Sequence, residues 1–408
     1  MTKTLGVLCA VALLGCSSDS PPGATAALDV TLPNSALTRM PNLSLIRAGD
    51  SFTLAGYDGT QVLWGRLSLD GKTLTEQVGF ALAQPLVGPV FAATTKTTPG
   101  DQLVALVLTN SATPGGGYDL SAIAQAAGDA TPAAPVLLDN YKAGTVPSTV
   151  QLAAGAATTG SVGFVAWGIP GMGISPKYLL LPATAATATT PSLMFPDPIP
   201  ANIPNWDCLA TTSGGTGLGV GVVTSDPTSG NSQLVAGEIN ESGGWPGMTY
   251  QLTVKVANCR VVGSPGPAGT YLMAMQTSNA IDFATYYPPP ATAPDGTTGT
   301  VTTIDPVLSA SSFGDPLNMP HPAWVAPAGG GDISIGLQRN GGPQVFRYNY
   351  NAIPHGSPLT LRSEKGQTGP VATSVGLDAT YITYSDQTKS GTPAVKRYFM
   401  RIESPVMP

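Results

Sequence analysis

Short apolar or alternating runs, broken by Gly, Pro, Asn and Asp, fill the chain from residue 27 onward. Alternation with period two over four to eight residues is the pattern of half-buried strands. No stretch carries the three- and four-residue apolar spacing of a three-turn amphipathic helix; the nearest, Ser121–Gly128, is short and Ala-rich. One unit recurs: a short strand A, a turn, a stronger strand B, a polar loop and a strand C. Strands A and B pair as Leu45–Ala48 with Phe52–Tyr57, Val90–Thr94 with Leu103–Thr109, and Val150–Ala154 with Val162–Trp167. They continue as Cys208–Thr212 with Leu218–Thr224, Cys259–Val262 with Thr270–Thr277, Trp324–Ala328 with Ile333–Gln338, and Val371–Val375 with Thr380–Tyr384. The B strands follow one another at 47 to 63 residues, giving seven units. Strand C is legible at Val62–Leu69, Tyr178–Leu181, Gln233–Ile239, Val345–Tyr350 and Val395–Ile402, and a fourth run at Leu74–Leu82, Tyr250–Val256 and Leu359–Arg362.

Four antiparallel strands repeated radially predict an all-β fold, a β-propeller of seven four-stranded blades. A single such sheet leaves both faces apolar, and stacking on its neighbours buries them. The seventh unit ends at Ile402 with no room for a fourth strand, while Ala27–Leu32 is a spare alternating run. It is expected to supply the missing outer strand and close the ring. The alternative is two β-sandwich domains joined through the Pro-rich stretch Pro191–Pro204.

Composition narrows the picture. Charged residues are only 10% of the 408, so Thr, Ser, Asn, Gln and backbone must cover the surface. The 49 Gly and 39 Pro show no three-residue period, which excludes collagen and suits a turn-rich chain. A net charge of −6 argues against nucleic acid, whose phosphates require a basic face.

The first residues form an address. Lys3 precedes the apolar run Leu5–Leu14, too short to span a bilayer and of the length of a secretory signal. The run ends in Leu13-Leu14-Gly15-Cys16, which resembles the lipobox of bacterial lipoproteins. The resemblance implies cleavage before Cys16 and a lipid on its thiol. Ser17 rather than Asp after the Cys implies the outer membrane. Residues 1–15 are then signal peptide, 16–25 the lipidated Cys and a flexible tether, and 26–408 the propeller. The remaining cysteines, Cys208 and Cys259, would sit in an oxidising compartment and are expected to pair as a disulfide. They open strand A in consecutive units and lie 51 residues apart, close to one repeat.

Motifs for chemistry are sparse. No His-Glu-x-x-His and no Gly-x-Ser-x-Gly occurs, and His321 and His355 fall in loops on opposite rims. Neither a cofactor nor a metal is expected, and no catalytic residue is assigned. Gly71-Lys72-Thr73 lacks the earlier Gly of a phosphate loop and reads as a hairpin turn. Ser68-Leu69-Asp70-Gly71-Lys72-Thr73 partly resembles the Asp-box turn of sialidase-type propellers, a structural element that brings no activity with it. Trp64 reads as core. Trp167 ends a B strand and Trp206 precedes an A strand, so both approach one rim in neighbouring units. Flat rings beside hydrogen-bonding groups suit sugar or peptide, so Trp167 and Trp206, with His321 and the B–C loop residues Asp226, Arg339 and Asp386, form the candidate ligand rim. The resulting expectation is a lipid-anchored envelope protein, facing periplasm or cell surface, that binds or assembles protein or glycan. A propeller-type enzyme (glycosidase, lyase or quinone-dependent dehydrogenase) and a purely structural envelope or matrix protein are the alternatives.

Overall fold

The computed structural model describes residues 26–40, 43–48, 51–76, 79–88, 90–96, 101–125, 131–147, 150–156, 163–181, 192–194, 205–213, 218–225, 228–239, 248–252, 255–265, 271–277, 280–287, 300–309, 321–328, 332–339, 342–349, 359–360, 372–375, 379–386 and 396–403. The signal, Cys16, the tether, Asp226 and His355 lie outside the described residues. No helix among them is long and apolar enough to cross a membrane.

The chain enters as β1 (Ala26–Thr31) and makes a single 3₁₀ turn at Leu37–Arg39. Seven sheets, each with a four-strand path, follow one another among the described residues. The first is β2 (Leu43–Ala48), β3 (Ser51–Tyr57), β4 (Gln61–Ser68) and β5 (Leu74–Glu76), with β6 (Phe80–Ala81) also on β4. The second is β7 (Phe91–Lys96), β8 (Asp101–Asn110), β9 (Tyr118–Gln125) and β10 (Val136–Tyr141). The third is β11 (Gln151–Ala156), β12 (Gly163–Gly168), β13 (Lys177–Leu181) and β14 (Ser192–Leu193). The fourth is β15 (Trp206–Ser213), β16 (Leu218–Ser225), β17 (Ser232–Ile239) and β18 (Met248–Gln251). The fifth is β19 (Val256–Pro265), β20 (Tyr271–Thr277), β21 (Ala280–Tyr287) and β22 (Thr300–Ser309). The sixth is β23 (His321–Ala328), β24 (Asp332–Arg339), β25 (Gly342–Asn349) and β26 (Leu359–Thr360). The seventh is β27 (Ala372–Val375), β28 (Ala379–Asp386) and β29 (Lys396–Glu403), with β1 as its fourth strand.

Every strand pair among the described residues is antiparallel. β1 lies on β29 with Val30 opposite Phe399 and Thr31 opposite Tyr398. The spare N-terminal run therefore serves as the outer strand of the last sheet. The first strands of successive sheets lie side by side, from β27 to β2 and on through β7, β11, β15 and β19 to β23. Sheets stacked through their first strands have the arrangement of a propeller and not of two sandwiches. Part of the proposed linker, Ser192–Leu193, is instead the outer strand of the third sheet, and Met194 beside it is buried.

The burial pattern explains the sequence pattern. Middle strands touch neighbouring sheets on both faces, so Phe52–Gly56 of β3 and Val104–Leu108 of β8 are buried without alternation. Ser121–Gln125, the Ala-rich run closest to helical spacing, lies in β9, with Ile123 and Ala124 buried on opposite faces. Between the first and second sheets, Ala55, Val62 and Trp64 meet Val90, Ala105, Val107 and Ile123. Between the second and third, Leu106, Leu108 and Leu120 meet Val165, Trp167 and Leu179. Between the third and fourth, Ala166, Tyr178 and Met194 meet Trp206, Val220 and Val235. The seventh and first sheets share a core as well, with Tyr381 and Phe399 against Phe52, Leu54 and Leu67. Leu32, Leu37 and Met40, from the segment that joins β1 to β2, fill the same core.

The Ser68–Thr73 turn forms as expected. Asp70 accepts from the Ser68 hydroxyl (2.6 Å) and the Lys72 N–H (3.1 Å), and Ser68 Oγ accepts from the Thr73 N–H (3.0 Å). Gly71 takes φ +70°, and a Cβ there would fall 2.6 Å from the Phe399 ring, so this position admits glycine alone without a shift. The turn seats the first sheet on the seventh.

Candidate functional site

The tryptophans expected on a ligand-binding rim are interior. Trp167 and Trp206 are each 0% exposed, and Trp64 is buried as read. Each donates its indole N–H across a junction between neighbouring sheets. Trp64 on β4 donates to Gln125 Oε1 on β9. Trp167 on β12 donates to Asp139 Oδ2 on β10 at 2.9 Å. Trp206, the first residue of β15, donates to the backbone carbonyl of Ile174 at 2.8 Å. A ring enclosed by two sheets has no face left for a sugar. Period-two alternation assigns a side chain to one face of a sheet, and here the neighbouring sheet and its loop cover that face completely.

The other members of the rim are strand ends. His321 opens β23 opposite Gln338, Arg339 closes β24 opposite Gly342, and Asp386 closes β28 opposite Lys396. The loop positions expected for them are corrected to terminal rungs of the ladders. Their side chains lie outside the described residues. They belong to the sixth and seventh sheets, whereas the two tryptophans belong to the third and fourth.

What that end of the third sheet presents to solvent is aliphatic. The loop 169–176 between β12 and β13 carries Met172 and Ile174, 61% and 59% exposed. Val146, in the loop from β10 to β11, is 55% exposed. Both loops follow strands that end on the same side of their sheets. The first loop is held from beneath: Ile174 O accepts from Trp206, and the Gly171 N–H donates to Trp206 O at 3.0 Å. A Cβ on Gly168 would lie 2.8 Å from the Trp206 ring, so glycine lets the loop base close over the indole. Gly171 and Gly173 take φ of +73° and +65°, which turns the chain sharply either side of Met172.

Beneath the patch, Asp139 Oδ2 also accepts from Lys177 Nζ at 2.9 Å. The carboxylate thus receives an indole and an ammonium together, which fixes it as a brace. Tyr141 nearby has its hydroxyl buried, and burial first, then the Asp139 charge, raise its pKa far above the ordinary phenol value. It stays protonated throughout the physiological range. Among the described residues no three His, Cys, Asp or Glu side chains gather as a metal site would require.

Cys208 is buried on β15 and Cys259 lies on β19, the first strands of adjacent sheets that run side by side. The side chain of Cys259 lies outside the described residues, so the expected disulfide remains a proposal.

No protein-family model matches the chain, and no curated protein does. Among solved structures, the polysaccharide lyase Uly1 is similar over 91% of this chain and 91% of its own, at 10% identity and a TM-score of 0.50. The β-propeller domain of the trilobed protease from Pyrococcus furiosus is similar over 89% of this chain and 94% of its own, at 8% identity and a TM-score of 0.45. A protein of unknown function from Dyadobacter fermentans covers 94% of this chain and 100% of its own, at 12% identity and a TM-score of 0.46. Identities this low concern the fold alone and carry no activity across.

Proposed function

We propose that this chain is a lipid-anchored envelope protein whose body is a closed seven-bladed propeller acting as a docking platform for another protein. The supporting observation is the loop 169–176. It is pinned by two hydrogen bonds to Trp206, yet it turns Met172 and Ile174 to solvent. Large aliphatic side chains on a preorganised loop suit an apolar protein segment, because little ordering entropy remains to be lost on binding. The aromatic faces of Trp167 and Trp206, which would suit stacking on a sugar, are enclosed.

Ring closure is supported by the β1–β29 ladder and by the shared core of the seventh and first sheets. Anchoring through Cys16 rests on the lipobox resemblance, with the tether leading within ten residues to β1. Together with the Cys208–Cys259 bridge, these give a rigid body held at the outer membrane.

The test is a pull-down from envelope extract with the wild-type chain and with Met172→Glu/Ile174→Glu. The double variant is expected to lose at least tenfold of any specifically captured partner while keeping its melting temperature. Equal capture by both chains would sink the assignment of this loop.

A further inference from the structure

Among the described residues, the seam between the seventh and first sheets buries a cation without a counter-charge. Arg397, on β29, is 2% exposed. Its Nε donates to the Thr38 carbonyl at 3.0 Å and its Nη2 to the Met40 carbonyl at 2.6 Å. The third nitrogen, Nη1, is buried and has no acceptor. No carboxylate pairs with the guanidinium among the described residues. A second buried polar atom, the Thr383 hydroxyl on β28, likewise has no partner.

Register places these two groups on one face. Thr383 lies opposite Phe399, and Arg397 is two residues before Phe399 on the same strand. Side chains two apart on a strand share a face, and diagonal neighbours across an antiparallel pair lie about 7–8 Å apart. That face is the one turned toward the first sheet, since Phe399 packs on Phe52. The Leu32–Met40 segment runs over it, held by the two carbonyls that Arg397 binds and by the Leu32 N–H, which donates to Arg397 O at 2.8 Å.

Two donors a diagonal apart, one of them on a charged group, and neither given an acceptor among the described residues, match one chemical class. We propose that the seam is a binding site for a small monovalent anion of halide size, held by Arg397 Nη1 and the Thr383 hydroxyl. The ion neutralises the buried guanidinium and satisfies both orphaned donors. Because the same guanidinium clasps the Leu32–Met40 segment, ion binding stabilises the contact between the two ends of the chain.

The experiment compares unfolding of the full chain in sodium bromide and in sodium gluconate at equal ionic strength. With bromide a hundred times above its Kd, the unfolding equilibrium constant falls about a hundredfold relative to gluconate. Thr383→Val keeps the side-chain shape, removes one donor and is expected to weaken bromide binding about tenfold. Arg397→Met abolishes the response. Should Arg397→Met fail to fold, the Thr383→Val titration and the anomalous scattering of bromide in crystals still decide the question. Equal stability in the two salts would overturn the proposal. So would an undiminished bromide response in Thr383→Val, or a water at Arg397 Nη1 with bromide bound elsewhere.

Discussion

The junctions among the first four sheets and the seam between the seventh and the first solve one problem with different chemistry. At each of the three junctions a buried tryptophan spends its single donor on the neighbouring sheet: Trp64 on Gln125, Trp167 on Asp139, Trp206 on the Ile174 carbonyl. A large apolar ring fills the interface while one directional bond fixes its position. The seam uses instead an aromatic trio, Phe52, Tyr381 and Phe399, with centroids 4.6 to 6.1 Å apart. To this it adds a buried arginine and a segment of chain laid over the top. Consecutive sheets are already held near one another by a short connection. The seventh sheet must also recruit its outer strand from the N-terminal side of the first sheet.

The largest effect should come from removing what covers the seam. Deleting residues 26–40 strips β1 from β29 and removes Leu32, Leu37 and Met40 from the core. At about 2 kcal/mol for each buried side chain, this costs roughly 6 kcal/mol before the exposed strand edge is counted. Deleting residues 17–24 should leave the melting temperature unchanged. Calorimetry on both deletions tests the contrast, and equal melting temperatures would contradict the role given to β1.

The next effect concerns the fourth and fifth sheets, where β15 and β19 carry the cysteines. If Cys208 and Cys259 are bridged, their loop is worth about 4 kcal/mol in the chain-entropy model. Non-reduced peptide mapping should recover the linked pair, and reduction should lower the urea midpoint accordingly. Two alkylatable thiols in the native protein would count against the bridge.

The smallest effect belongs to the tryptophans singly. Trp→Phe at 64, 167 or 206 keeps most of the ring and leaves one acceptor without its indole donor. A cost of about 2 kcal/mol is expected at each, since the abandoned group is buried or half-buried. Trp167→Phe should be the mildest, because Lys177 still pairs with Asp139. Trp206→Phe should additionally loosen the 169–176 loop, measurable as faster amide exchange at Gly171. Three identical losses would mean that the acceptors do not matter.

Most of the architecture was legible because strands leave a local signature. The seven A–B pairs appear close to their expected places, and the unused alternating run at Ala27–Leu32 identified itself by having no other partner. β9 was harder, because Ala fits helix and strand alike. Its pairing with β8 and β10 decided the matter through contacts the local sequence does not display. The two tryptophans of the expected rim are interior for a physical reason. Alternation tells which face of a sheet Trp167 and Trp206 occupy but not that a neighbouring loop seals the end of that face. The burial of Arg397 is not legible locally, because a charge in a strand ordinarily marks a solvent face. The available signal was the residue two positions on: Phe399 shares its face, and Phe399 is core.

The partnership of β1 with β29 also sets a clock. Their first residues are 370 positions apart. At about 5–20 residues per second, roughly 20–70 seconds of synthesis separate the first strand from its partner. During that time Leu28 and Val30 of β1 lack the strand they pair with. The seventh sheet can be completed only after β29 has been made. Until then the edge of β1 stands unpaired, and shielding it falls to something other than its native partner.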